Sequence, residues 1–149
     1  MKLSVLLMCL VVLGHAVLKE YLNKTESSFC GISESHTYKS EQALSDGKWR
    51  WDAGPEKGPT ERGAGPSKGV GAFINKDKIK GSAVDKGKYT LWHRVELKGR
   101  TPLMVGTGYF PQANDQAGQI AANEELHNFA AKFRLQGYHV VFGGDLNAH

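Results

Sequence analysis

Near its end the chain carries two oxygen-bearing side chains two residues apart, Asp145 and Asn147, in the run Gly143-Gly144-Asp145-Leu146-Asn147-Ala148-His149. They follow the apolar stretch Tyr138-His139-Val140-Val141-Phe142, so they stand where a buried strand ends. A carboxylate and an amide at this spacing point to one side of an extended chain. Such a pair can hold a hard cation, a water and a phosphate oxygen, because it offers both oxygen ligands and amide donors. The two glycines before the acid allow a tight turn and a close approach of backbone to a bound group. The same residues also fit an ordinary strand-end turn in which Asp and Asn bond their own backbone.

Two more residues of this kind lie upstream, each at the end of a strand-like run. Phe29-Cys30-Gly31-Ile32-Ser33-Glu34-Ser35-His36 delivers Glu34, and Val105-Gly106-Thr107-Gly108-Tyr109-Phe110-Pro111 delivers Tyr109 just before a proline. Glu34 is a candidate ligand for Mg²⁺, which takes a few carboxylates plus waters and substrate oxygens. It also fits a surface acid at a strand end. Tyr109 can donate a hydrogen bond to a phosphate, or pack as a β-enriched aromatic beside a proline turn.

The elements that must position these groups can be read in order. Leu3 to Leu10 is apolar apart from Ser4, as in a strand buried on both faces. Val17 to Leu22 follows as a helix with an apolar face at Val17, Leu18, Tyr21 and Leu22. Trp49-Arg50-Trp51 begins a strand or loop, and Asp52 to Lys68 is crowded with Gly, Pro and charge, as in an exposed loop between paired strands. Its Lys57, Arg62 and Lys68 either follow a phosphate backbone by charge or keep the loop solvated. Gly69 to Ile74 reads as a buried strand, and Tyr89 to Leu97 alternates as a strand with one wet face. Lys98-Gly99-Arg100 turns the chain into a strand from Pro102 to Tyr109, so the sheet is expected to be mostly antiparallel. Gln116 to Leu135 is the main helix, with Ala122, Leu126, Phe129, Ala130 and Phe133 on one face, Asn114 or Asp115 as cap, and Gly137 as stop.

A strand with Glu34, a Gly-rich linker, a strand with Tyr-x-Pro, a helix, and a strand with Gly-Asp-x-Asn is an order that resembles the endonuclease/exonuclease/phosphatase superfamily. The match spans roughly residues 29 to 149. The ending Gly-Asp-Leu-Asn-Ala-His is most similar to its retrotransposon-type and repair-type branches. The resemblance implies an α/β chain: a four-layer α/β/β/α sandwich of the deoxyribonuclease I-like fold, one partial domain over residues 1–149 that stops after the Gly-Asp-x-Asn strand. It implies Mg²⁺-dependent (or Mn²⁺-dependent) phosphodiester hydrolysis with nucleic acid, DNA first, as the partner. In that scheme Glu34 holds the metal and Asp145 orients or deprotonates the attacking water. Asn147 holds that water or a phosphate oxygen, and Tyr109 donates to the phosphate.

The chain also departs from the family pattern. The Asn expected after the first strand is absent from Met8-Cys9-Leu10-Val11-Val12, and so is a late Asp–His pair. His149, directly after the Asp-x-Asn motif, cannot replace that histidine. The expectation is therefore a fragment, a shortened gene or a decayed copy with impaired activity. The alternatives are a catalytically dead or secreted binding protein on the same scaffold, and a phosphomonoesterase.

Bulk composition narrows the class without choosing among these. A length of 149 residues with 40% hydrophobic content suits one domain with a real core, and 23% charge with 18 glycines suits a loop-rich globule. The net charge of +4 helps a protein meet a phosphate backbone, and many domains without that partner share it. Cys9 and Cys30 read as small buried hydrophobes, and no Cys/His spacing suits zinc. Met1 to Ala16 also fits a signal peptide, and Asn23-Lys24-Thr25 would then be a glycosylation sequon; the strand reading favours an intracellular or nuclear chain. The run is shorter than the ~20 residues that cross a bilayer, so no stable membrane insertion is expected. No protein partner can be inferred.

Overall fold

The computed structural model describes residues 5–8, 15–37, 44–54, 56–57, 67–96 and 98–147. Among these, nine strands form two sheets. The first contains β1 (Val5–Met8), β2 (Phe29–Thr37), β3 (Trp49–Ala53), β4 (Glu56–Lys57) and β5 (Ser67–Asn75). Its order is β1-β2-β5-β3, with β4 also on β5. β1 lies parallel to β2, with Val5 opposite Phe29, and helix α1 (His15–Lys24) makes the crossover that parallel strands require. β5 runs antiparallel to β2 and to β3. The strands on either side of the Gly/Pro-rich stretch therefore pair as expected. The side chains of Lys57, Arg62 and Lys68 lie outside the described residues, as do Cys9, Ala148 and His149.

The second sheet has the order β6 (Gly81–Lys86), β7 (Thr90–Val95), β8 (Leu103–Tyr109) and β9 (His139–Asp145). β6, β7 and β8 form an antiparallel meander, whereas β9 returns parallel to β8 through helix α2 (Gln116–Leu135). Each sheet is thus mostly antiparallel, with one parallel pair made across a helix.

Alternation along the strands divides the core into three layers of side chains. Between the sheets, Phe29, Val70, Ala72 and Ile74 meet Leu91, Val95 and Val105. Outside the first sheet, Leu18 and Leu22 of α1 pack with Cys30, Ile32, Trp49, Trp51 and Phe73. Outside the second, Leu126, Phe129 and Phe133 of α2 cover Trp92, Met104, Val140 and Phe142. The result is the four-layer α/β/β/α sandwich. Gly106 makes room for this outer packing, since a Cβ there would sit 2.5 Å from the Trp92 ring and 2.7 Å from that of Phe142.

The apolar face expected on α1 is corrected. Leu18 and Leu22 are fully buried, but Val17 and Tyr21 are 53% and 47% exposed. Residues 17 and 18 lie about 100° apart on a helix, and only the Leu18/Leu22 stripe faces the sheet. Helix α2 matches its expected span. Asp115 is the N-cap and accepts from the Gly118 amide at 2.9 Å, and Gly137 leaves the helix at φ +88°. None of the described helices is long and apolar enough to cross a membrane.

Candidate active site

β8 and β9 run side by side and end together, and their register sets Tyr109 opposite Asp145. Register partners on parallel strands share a face about 4.8 Å apart, so phenol and carboxylate are brought to one mouth. Hydrogen bonds continue this join past the ladder. The Phe110 amide donates to the Asp145 carbonyl at 2.9 Å, and Asn147 Nδ2 donates to the Phe110 carbonyl at 2.7 Å. On the other side, the Tyr109 amide donates to the Tyr89 carbonyl at 3.1 Å. The Tyr-x-Pro and Asp-x-Asn segments thus form one unit.

The extended geometry expected for Asp145 and Asn147 is corrected. Asn147 adopts a left-handed φ of +47°, and its amide donates to Asp145 Oδ1 at 3.0 Å. This is the strand-end turn that a short polar side chain stabilises by bonding the backbone two residues on. Asp145 Oδ2 and Asn147 Oδ1 accept no hydrogen bond among the described residues. An open cleft of about 320 Å³, lined by Gln112, Ala113, Asn114 and Asn147, adjoins them.

Gly144 has a different purpose from the one its position suggests. Its φ is +146°, and a Cβ would lie 2.0 Å from the Gly108 carbonyl oxygen. The missing side chain admits the neighbouring strand's backbone rather than a bound group. Glu34 lies in β2, which faces β8 and β9 across the sandwich. Its side chain is outside the described residues; of the expected site residues, Tyr109 and Asp145 are register partners and Asn147 follows beside them.

One polar constellation between the sheets has almost no signature in the sequence. His93 is fully buried on β7, and its Nε2–H donates to Asp52 Oδ2 at 2.8 Å. Arg50 reaches the same carboxylate through Nε at 3.0 Å and Nη2 at 2.9 Å. Burial pushes the Asp52 carboxyl up, but the bonds and charges of His93 and Arg50 outweigh this and hold it below its ordinary range. The only sequence signal was the alternation of Arg50 and Asp52 with Trp49 and Trp51. Phe29 meets the His93 ring edge-on at 5.2 Å. Shut away from solvent, this histidine ties the two sheets together.

The donors at the mouth are all oxygens, which suits Mg²⁺ or Mn²⁺. Among the described residues, no group of three or more His, Cys, Asp or Glu comes together to hold a metal ion. A cation here would take much of its shell from water and substrate, as Mg²⁺ commonly does. Burial pushes the Cys30 thiol up to about 12, as suits a small buried hydrophobe.

The layers and the paired ends of β8 and β9 give the deoxyribonuclease I-like fold, shared with the solved structures to which this chain is similar. The sequence matches no family model and no curated protein. In structure it is similar to the endonuclease domain of TRAS1, a telomere-specific non-LTR retrotransposon, at TM-score 0.70 and 14% identity, covering 99% of this chain and 60% of that one. The human Nocturnin catalytic domain with bound sulfate gives TM-score 0.65 and 15% identity over 90% of this chain and 56% of its own. TDP2 from D. rerio, complexed with a single-strand DNA product, gives 0.64 and 15% over 99% and 61%. The chain therefore spans about three fifths of the length of these structures.

Proposed function

We propose that the mouth formed by β8 and β9 hydrolyses phosphodiesters, with Mg²⁺ or Mn²⁺ as cofactor and DNA as substrate. The observation that carries this is the register of Tyr109 against Asp145, with Asn147 folded back beside them. Hydrolysis needs an oriented water and donors aimed at a phosphate. Asp145 suits the first task through Oδ2, while Oδ1 is held by the Asn147 amide. Tyr109 suits the second, and Asn147 Oδ1 can hold the water while its Nδ2 is fixed on Phe110. A cation bound there, with Glu34 as its protein carboxylate, would neutralise phosphate charge. The similar structures support a nucleic-acid substrate: one is a retrotransposon endonuclease and another holds a DNA product.

A second reading, phosphomonoester hydrolysis, draws on the similarity to a Bacteroides thetaiotaomicron mannosyl-6-phosphatase, at TM-score 0.66, 11% identity, and 98% of this chain against 66% of that one. Both readings are tested by supercoiled-plasmid nicking with Mg²⁺, run beside p-nitrophenyl phosphate hydrolysis. Wild type is expected to nick the plasmid, with Glu34→Gln and Asp145→Asn each slower by about 100-fold or more. Equal rates in all three proteins would refute the assignment, and turnover of the monoester alone would select the second reading.

A further inference from the structure

We propose that Gln119, in the first turn of α2, is a positioning residue that locks the Tyr-x-Pro segment to the Asp-x-Asn segment; its catalytic consequence rests on the hydrolase reading above. Gln119 Nε2 donates to the Pro111 carbonyl and to the Leu146 carbonyl, the latter at 3.0 Å. Both acceptors are backbone carbonyls, so the amide end that faces them must be the NH₂. That group has two hydrogens and meets two acceptors, one in each segment.

The clamp reaches further than the sheet does. Ladder pairing ends at Tyr109 and Asp145, and Asn147 then ties itself to Phe110. Gln119 adds a join one residue beyond, at Pro111, and fixes Leu146, the residue between Asp145 and Asn147. Its own backbone is held in turn. The Gln119 amide donates to the Asp115 carbonyl at 2.9 Å, and Asn123 Nδ2 donates to the Gln119 carbonyl at 2.9 Å. Toward its other end α2 is anchored by the Phe133 ring, 5.2 Å from that of Trp92. The helix therefore acts as a rigid arm whose first turn sets the spacing of two loops. Lysine or arginine would bring a charge, and a shorter Asn would lack the reach.

The test uses the full chain and two variants. Gln119→Glu preserves shape but turns carboxylate oxygen toward two carbonyls, whereas Gln119→Met keeps length without a donor. With plasmid and Mg²⁺, both are expected to lower kcat by ~10-fold or more with KM within about two-fold, since small misplacements of reacting groups are costly. Amide signals of Phe110 and Asn147 should move in ¹H–¹⁵N spectra of both. The Glu variant should regain part of the loss, relative to wild type, as pH falls below the ordinary glutamate range, because the protonated acid supplies one donor. The Met variant should not. Unchanged kcat in both variants, or shifts confined to the first turn of α2, would overturn the clamp. Should wild type prove inactive, the hydrolase reading fails separately and the spectra alone decide: shifts at Phe110 and Asn147 uphold the clamp, and their absence overturns it.

Discussion

Replacing Asp52 by Asn removes a charge and almost no volume, so its effect isolates the electrostatics of the join between the sheets. In the folded chain Asp52 accepts from His93 at 2.8 Å and from Arg50 at 2.9–3.2 Å. Removing one partner of a fully buried pair costs about 3–5 kcal/mol. Here the Asp52 side chain is 14% exposed and that of Arg50 33%, so water takes up part of the loss and ~2 kcal/mol is the expected cost. Urea unfolding at pH 7 should therefore show the Asn variant denaturing roughly 1 M earlier. The gap depends on pH in a definite direction. Because the folded Asp52 carboxyl lies below its unfolded value, its stabilisation is fully present above the ordinary carboxylate range near pH ~4. It is lost as pH falls through the lower folded value. The difference between wild type and variant should thus be widest at neutral pH and should close in acid. Asp46 also titrates in acid. Its slight burial is more than offset by Lys19 and the amides of Trp49 and Lys48, which hold it at about 2, but it is common to both proteins and cancels from the difference. A gap under ~0.5 kcal/mol at pH 7, or one undiminished at pH ~2, would refute the reasoning.

Two further predictions concern local packing. Gly144→Ala places a methyl group against the Gly108 carbonyl at a φ that only glycine tolerates well, so it should destabilise the chain by ~2 kcal/mol or more and loosen β9, as seen in amide exchange of residues 143–147. Cys30, with its thiol near 12, should not react with a disulfide reagent at pH 8 in the native state and should react promptly in denaturant.

Much of this architecture was legible because periodicity reports burial directly. Helix α2 was readable because its apolar spacing, its Asp115 cap and its Gly137 stop all agree. β1 could be placed from an unbroken apolar run, and it pairs with β2 in parallel. β6 carries little signal: Gly81-Ser82-Ala83-Val84-Asp85-Lys86 alternates weakly, and its Val84 is 48% exposed on an outer strand of the sheet. The site motifs showed which residue types would gather, but not how. Extended geometry put Asp145 and Asn147 side by side, whereas the chain turns left-handed at Asn147 and uses half of the Asp145 carboxylate as its own turn cap. The Asp52–His93 pair was invisible for another reason: its members are 41 positions apart, and only the stacking of two sheets brings them together.

The proposal rests on a divalent ion bound at the joined ends of β8 and β9 with Glu34 as its protein carboxylate, and paramagnetic broadening tests this most directly. Mn²⁺, which takes the same oxygen ligands as Mg²⁺, would be titrated into ¹⁵N-labelled protein and into the Glu34→Gln variant. The expected result is early, selective broadening of Tyr109, Phe110 and Gly143 to Asn147 in wild type, abolished in the variant and reversed by excess Mg²⁺. Broadening spread evenly over exposed carboxylates, or unchanged by Glu34→Gln, would contradict the proposal.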